Sequence, residues 1–385
     1  MSEEEKKAHE MIMLEALDLA RRGAGRVHPN PMVGAVLVRG DAVIGRGWHA
    51  KCGGPHAEVN AIRDARDAGH EDLSDATLYV TLEPCCHTGR TPPCTELIIK
   101  AGIRTVVCAM RDPNPLVGGK GIARLRAEGI TVIDGVLESE GRALNRAFIK
   151  YITTKKPFIL LKSAMSLDGK IATATGESQW ISCADSREDV HRLRSEFTAV
   201  MTGIGTVLAD DPLLTARTGD AETAQPIRVI ADSRLRIPLD SKIAKSAREF
   251  RTIVAVCAET LAQDHSEEIA SKAADLKATG IEILPIREQS GHLDLADLAV
   301  QLGNLEIDSV LLEAGGTLAE GALKAGIVDR VRFYVAPLII GGERAKSAIA
   351  GAGVATLPEA WRLRDLTVGR SGVDLVVEGD ICSPE

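Results

Sequence analysis

The sequence predicts an α/β protein built as two domains in series. Three observations carry this. A chain of 385 residues exceeds what one ordinary core organises. Helical and strand patterns alternate along its whole length, the mark of α/β layers. A basic, Thr-rich connection at residues 150–157 interrupts the series, and a fresh run of strands begins after it. The boundary is placed there, giving domains 1–150 and 151–385.

In the first domain, residues 8–22 set Met11, Leu14, Leu17 and Ala20 at helical spacing and end at Gly23. Residues 32–38 form an apolar, β-branched strand, and Arg39-Gly40-Asp41 turns into a second strand at 42–47, which makes a hairpin. A helix follows at 56–68, stopped by Gly69, then a strand at 76–82 and a helix at 94–101 ending at Gly102. A strand at 105–110, a short helix at 121–128, a strand at 130–133 and a mostly polar helix at 137–149 complete the domain. In the second domain, strands are expected at 158–163, 199–202, 227–231, 252–257, 281–286, 309–312 and 331–335, with helices between several of them. There is no internal repeat and no low-complexity tract.

Composition narrows the function. A net charge of −8 weighs against a nucleic-acid partner, which needs a basic field. Aromatic residues at 3% leave little material for base stacking. The charged start carries no secretory pattern, and no apolar run approaches the roughly 18 residues of a membrane span. The eight cysteines show no small-scaffold spacing, so thiols here serve metal, catalysis or packing rather than disulfides. The chain reads as cytoplasmic, with no membrane partner.

The most informative segments are Pro55-His56-Ala57-Glu58 and the run from Glu83-Pro84-Cys85-Cys86-His87 to Pro93-Cys94. Zinc hydrolases that activate water keep three protein ligands and leave the fourth tetrahedral position open. His56, Cys85 and Cys94 supply one imidazole and two thiolates, which neutralise the ion and bring bound water toward a pKa of roughly 7. Each directly follows a proline, which fits the first turn of a helix, so His56 and Cys94 are expected at helix N-termini, where a thiolate is favoured. Glu58 can take a proton from the bound water and hand it to a departing amine. This is the H-x-E…P-C-x-x-C logic of zinc nucleoside and nucleobase deaminases with one departure: nine positions, not three, separate the cysteines. A closed structural site would need a fourth ligand, from Cys86 or His87, and would leave Glu58 without purpose. Cys108 and Cys257 lie in apolar strands and read as core.

Three stretches now support a named resemblance: His28-Pro29-Asn30-Pro31 with Val33-Gly34, His56-Ala57-Glu58-Val59, and the run from Thr81 to Cys94 with its Gly-, Arg- and Pro-containing insert. Together they resemble the bifunctional deaminase/reductase family of riboflavin biosynthesis. The resemblance implies a cytidine-deaminase-like α/β/α N-terminal domain acting on 2,5-diamino-6-(ribosylamino)-4(3H)-pyrimidinone 5′-phosphate, which loses its 2-amino group. By matching position, Asn30, His49, His87 and Arg90 would contact that substrate. The Arg90 guanidinium suits a phosphate; a solvated surface arginine is the alternative.

The second half has two glycine turns after strands, Gly203-Ile204-Gly205-Thr206 and Gly315-Gly316-Thr317-Leu318, the latter before a helix at 318–325. Exposed N–H groups at such turns suit a cofactor pyrophosphate, although a glycine pair often serves only tight packing. The G-x-G-x-x-G fingerprint is absent. Residues 162–172, 177–181 and 205–212 are similar to the reductase domain of the same family, whose fold is dihydrofolate-reductase-like α/β. That likeness implies NADPH held by Ala164, Trp180, Thr206, Asp210, Ser233 and the loop Gly315, Gly316, Thr317, Leu318, Ala319, Glu320, Gly321. It implies Ser178, Arg194, Leu214, Arg217 and Glu313 around the ribosylaminouracil phosphate. Arg194 and Arg217 can grip a phosphate bidentately, and Trp180 offers a flat face to a ring; a core aromatic and surface ion pairs are the plainer readings. Asp210 could orient groups near the nicotinamide. The family implies Zn2+ and NADPH as cofactors, small pyrimidine ribosyl phosphates as partners, and a homo-oligomer, dimer or tetramer. Two other readings are an RNA-editing deaminase with a noncatalytic C-terminal binding domain, and a deaminase with a regulatory nucleotide-binding half.

Overall fold

The computed structural model describes residues 2–86, 92–114, 117–220, 223–262 and 267–382. The chain forms two compact units, Met1–Lys155 and Lys156–Glu385.

The first unit runs α1 (Glu3–Arg21), β1 (Gly34–Arg39), β2 (Ala42–Trp48), α2 (Ala57–Asp67), β3 (Thr77–Leu82) and α3 (Cys94–Lys100). It continues with β4 (Thr105–Met110), α4 (Lys120–Ala127), β5 (Thr131–Asp134), α5 (Glu138–Leu144) and α6 (Arg146–Thr154). Its sheet has the order β2-β1-β3-β4-β5. The β1–β2 hairpin and the β1–β3 pair are antiparallel, while β3, β4 and β5 run parallel. Met13, Ala16 and Leu17 of α1 bury against Val36, Val38 and Val107 on one face. Ala57, Ala61, Ile62 and Ala65 of α2 bury against Ala35, Leu37 and Leu78 on the other. The layering is α/β/α. A Cβ added to Gly47 would come within 2.3 Å of the Ala57 carbonyl oxygen, so the first turn of α2 rests directly on β2.

Two expectations need correction here. Helix α1 begins five residues earlier than its apolar spacing suggested, because Ser2 and Glu5 form a reciprocal capping box. Its buried stripe is Met13, Ala16, Leu17 and Ala20; Met11 and Leu14 face outward. The single polar helix expected at 137–149 is two helices, broken at Asn145. Asn145 is buried, and its amide accepts from the Met32 N–H at 2.8 Å and donates to the Met32 carbonyl at 3.0 Å. Bonding a distant backbone on both sides interrupts the helix, and α6 then extends through residues first assigned to the connection.

The second unit opens with β6 (Phe158–Ser166), β7 (Lys170–Ala172), α7 (Ala184–Glu196), β8 (Ala199–Gly203), α8 (Ile204–Asp210) and β9 (Ile227–Ala231). Next come α9 (Lys242–Lys245), β10 (Thr252–Cys257), α10 (Ala258–Ala262), α11 (Glu267–Ala278), β11 (Ile281–Ile286), β12 (Glu288–Gln289) and β13 (His292–Leu293). The unit closes with α12 (Leu295–Asn304), β14 (Ser309–Glu313), α13 (Gly316–Lys324), β15 (Arg330–Ala336), β16 (Lys346–Ser347), β17 (Arg362–Ser371) and β18 (Asp374–Cys382). The main sheet has the order β11-β10-β9-β8-β14-β6-β15-β18-β17. Its strands are parallel from β11 to β15, and the hairpin β17–β18 adds an antiparallel edge. The chain moves outward from β8 to β11 and returns to insert β14 between β8 and β6. That reversal makes the carboxyl ends of β6, β8 and β14 a topological switch point, the usual ligand position in such sheets. The sequence reading placed no strand after residue 335 and so missed the C-terminal hairpin, because β17 is mostly polar and exposed along nearly its whole length.

Asn145→Ala leaves both Met32 backbone groups without their partner. It is expected to destabilise the protein by about 1–3 kcal/mol, read as a lower urea midpoint in circular dichroism; an unchanged midpoint would show that the staple contributes nothing.

Candidate active sites

In the first unit a strand end and two helix starts converge. His56 is the N-cap of α2, Cys94 is the first residue of α3, and Cys85 follows β3. Pro55 and Pro93 stand just outside their helices rather than in the first turns. The Nδ1 of His56 lies 3.2 Å from the Cys94 sulfur and 3.6 Å from the Cys85 sulfur. One donor atom from each of the three residues lies within 4.8 Å of the others. Tetrahedral bonds of about 2.0–2.3 Å to nitrogen and sulfur put ligand atoms roughly 3.3–3.8 Å apart, so this donor set fits a zinc ion. Among the described residues no fourth His, Cys, Asp or Glu joins the group, Cys86 included.

Charge is tightly arranged around these donors. A hydrogen bond with the Cys94 thiol, joined by bonds from the His56 ring and the Cys94 N–H, overrides burial and holds the Cys85 thiol at about 4. The partner thiol is pushed up, because Cys85 is already the anion of the pair and burial opposes a second one. The bond to Cys85 raises His56. Glu58, on the second residue of α2, is 3% exposed, and burial raises its carboxyl above the ordinary carboxylate range. A carboxyl with raised proton affinity beside the donors is suited to accepting a proton and returning it.

Beside His56, the buried His49 and the half-buried Asn30 are joined by a hydrogen bond. The Asn30 amide meets His49 Nε2 at 3.2 Å, and His49 Nδ1 meets the Pro55 carbonyl at 3.0 Å. The His49 ring stands edge-on to His56 with centroids 5.6 Å apart. Burial lowers the His49 pKa, so the ring stays neutral, donating to Pro55 and accepting from Asn30. The structure therefore brings Asn30 and His49 to the site; His87 and Arg90 lie outside the described residues. Sequence reasoning gave Glu83 no role. Its buried carboxylate accepts the N–H groups of Asp112 (3.1 Å), Gly119 (2.9 Å) and Ile122 (3.0 Å), which pins the loop before α4 against the segment carrying Pro84 and Cys85.

In the second unit the expected residues gather at the carboxyl edge of the sheet: Ala164 on β6, Thr206 and Asp210 on α8, Ser233 after β9 and Gly315 at the start of α13. A Cβ added to Gly203 would meet Leu318 at 3.3 Å, so the two glycine turns face each other, whereas one on Gly205 or Gly315 would meet nothing within 4 Å. The turns are thus open at Gly205 and Gly315. Trp180 is 68% exposed, which excludes a core aromatic, and the Arg187 guanidinium sits 4.5 Å over its ring. Ser178 is half-buried nearby in sequence.

Three assignments are revised. Residues 315–321 are not a loop: α13 starts at Gly316, and the Ala319 N–H already bonds the Gly315 carbonyl. Only the first-turn N–H groups of Gly316, Thr317 and Leu318 remain for an anion. Ala319 is buried, and Glu320 accepts from the Gly353 N–H and pairs with Lys324. Second, Leu214 lies in the core with φ +56°, which leaves its backbone rather than its side chain to meet a ligand. Third, Arg194 does not offer a free fork. Its Nε and one terminal nitrogen bond Glu313 at 2.6 and 2.9 Å, and the other bonds the Thr215 carbonyl at 3.1 Å. Burial would raise the Glu313 carboxyl, but the charges of Arg194 and Lys162 reverse this and hold it at about 2. Arg217 is exposed and meets His191 Nε2 at 3.1 Å. Sequence reasoning missed Lys162, a cation within an apolar strand, and His191, one helical turn before Arg194; each carried that local signal.

Residues 157–377 match the family described as RibD C-terminal domain, and residues 6–110 match the cytidine and deoxycytidylate deaminase zinc-binding region. The riboflavin biosynthesis protein RibD of Actinobacillus pleuropneumoniae is 43% identical over 97% of this chain and 95% of its own length. That of Escherichia coli strain K12 is 42% identical over 92% and 93%. The solved structure of Acinetobacter baumannii RibD, form 1, superposes with a TM-score of 0.84 at 39% identity, covering 98% of this chain and 100% of that one. A Thermotoga maritima diaminohydroxyphosphoribosylaminopyrimidine deaminase/5-amino-6-(5-phosphoribosylamino)uracil reductase superposes at 0.83 with 37% identity, over 98% and 100%.

Glu83→Gln replaces one acceptor oxygen with a donor that faces a backbone N–H. The substitution is expected to weaken zinc retention by about 10- to 100-fold, as loss of an outer supporting contact does elsewhere. Titration with a chelator reads this directly; unchanged retention would mean that Glu83 does not support the Cys85 segment.

Proposed function

This chain belongs to the RibD family of riboflavin biosynthesis proteins, bifunctional deaminases and reductases, and from that premise we propose how its residues share the two reactions. The first unit is the zinc-dependent deaminase and the second the NADPH-dependent reductase, with the boundary after Lys155. The substrate is 2,5-diamino-6-(ribosylamino)-4(3H)-pyrimidinone 5′-phosphate. Hydrolytic loss of its 2-amino group as ammonia precedes reduction of the ribosyl group, which yields 5-amino-6-(ribitylamino)uracil 5′-phosphate. The activities named for the Thermotoga maritima relative support this pairing. A cytoplasmic homo-oligomer, dimer or tetramer, belongs to the same proposal; among the described residues no helix is long and apolar enough to cross a membrane.

The observation that carries the first reaction is a buried carboxyl beside three convergent donors. His56, Cys85 and Cys94 would hold zinc, which supplies Lewis acidity to a water molecule. Glu58 takes the proton that this water releases and delivers it to the departing amine. Asn30 and the neutral His49 orient the pyrimidine, together with His87 and Arg90.

For the second reaction the first-turn N–H groups of α13 would receive the cofactor pyrophosphate, and Ala164, Trp180, Thr206, Asp210 and Ser233 would hold the rest. Bound there, NADPH would supply the hydride for reduction of the open-chain sugar at C1′. Arg217 takes the 5′-phosphate, near Ser178 and the Leu214 backbone. Glu313, kept anionic by Arg194 and Lys162, accepts from sugar hydroxyls.

Glu58→Gln keeps the size of the side chain and removes its base. The variant should retain zinc, lose deamination by about 10²- to 10⁴-fold, and still reduce supplied deaminated product. Loss of both activities would contradict separate sites.

A further inference from the structure

Residues 213–217 carry Arg217 yet belong to no helix or strand. Polar side chains hold this strap instead. The buried Arg228 of β9 donates to the Leu213 carbonyl at 3.2 Å, and its other donors meet Ile243, Ser246, Phe250 and Thr252. Arg194 and His191, one turn apart on α7, both reach the Thr215 carbonyl, at 3.1 and 3.2 Å. Gln225 then takes both backbone groups of Ala216. The Ala216 N–H donates to its Oε1 at 3.0 Å, and its Nε2 donates to the Ala216 carbonyl at 2.9 Å. A side-chain amide here does what a neighbouring strand would do.

We propose that Gln225 is a positioning residue of the reductase: by clamping Ala216 on both sides it fixes the peptide from which Arg217 projects, and so presents that guanidinium to the substrate phosphate. The inference rests on the reading of Arg217 as the phosphate-binding residue. The Ala216 carbonyl belongs to the same peptide plane as the Arg217 nitrogen, so fixing one orients the other. Beyond that plane, His191 Nε2 steadies the far end of the arginine. Burial, and then the charges of Arg194 and Arg217, lower the His191 pKa, which keeps the ring neutral and able to accept that bond. An arginine ordered before binding loses less freedom when the phosphate arrives. A phosphate remote from C1′ is bound alike in ground and transition states, so loosening the strap raises KM and leaves kcat in place. Arg228 is a poor probe of this idea, because removing a buried arginine strands five acceptors in the core. Gln225 is exposed and can be replaced without opening a cavity.

The test uses the full chain and steady-state reduction of the deaminated substrate and of its dephosphorylated form, for the parent, Q225A, R217A and Q225A/R217A. Q225A should raise KM for the phosphorylated substrate by about tenfold, the worth of roughly one charge-assisted contact. Its kcat, its KM for the dephosphorylated form and its deamination rate should stay at parent values. The double variant should be no worse than R217A alone. If R217A raises KM while Q225A does not, or if Q225A affects both substrates alike, the positioning role is overturned and the assignment of Arg217 stands. If R217A leaves KM for the phosphorylated substrate unchanged, the assignment of Arg217 itself fails, and the inference fails with it.

Discussion

Two thiols and a carboxyl crowded around one imidazole in a corner of a protein oppose one another's negative charges, and the first unit is organised around keeping them together. The pair Cys85 and Cys94 illustrates the tension. The first is driven toward thiolate by the proton of the second, and the second then resists ionising beside that anion in a buried setting. A divalent cation removes the conflict by letting both thiolates exist at once, which is why such sites couple metal affinity to proton release. Glu58 shares the corner without belonging to the donor group, and burial, reinforced by the charge of Cys85, keeps its proton affinity high. The corner thus separates three groups that hold from one that exchanges.

Backbone elements rather than long side chains set these positions. The close seating of α2 on Gly47 places His56, and the N–H of Cys94 points at the Cys85 sulfur at 3.3 Å, so α3 and the end of β3 are registered by a bond between ligands. The second unit uses the same economy at its sheet edge. Gly316 can carry no side chain, since a Cβ there would lie 2.4 Å from the Ser347 carbonyl oxygen, and this lets the first turn of α13 pack directly on that backbone. In both units the candidate site residues fall where strands end and helices start, where unsatisfied backbone groups and helix dipoles are concentrated.

Much of the first site was legible because its signal is local: a histidine two positions before a glutamate, and cysteines each behind a proline. The donors that converge are those the spacing named. Support from distant parts of the chain was not legible. Asn145 serves Met32 across 113 positions, and Arg194 is engaged by Glu313 across 119, so neither pairing leaves a pattern in its own neighbourhood. Helix phase decided other cases: once α13 starts at Gly316, Ala319 and Glu320 turn inward whatever the glycines suggest. The C-terminal hairpin escaped notice because its outer strand, β17, is exposed on both faces and lacks alternation. The idea that the second half is a noncatalytic module for RNA is overturned by its match to the RibD C-terminal domain over residues 157–377.

The central claim is an ion held by one nitrogen and two sulfurs, with a position left for water. X-ray absorption spectroscopy of the zinc-loaded full chain at the zinc edge measures that shell most directly. The account predicts two sulfur neighbours at about 2.3 Å and two lighter neighbours near about 2.0 Å, one of them exchangeable with added small anions. A shell of three sulfurs, or one in which no neighbour exchanges, would show that Cys86 or another side chain closes the site and would contradict hydrolytic chemistry there.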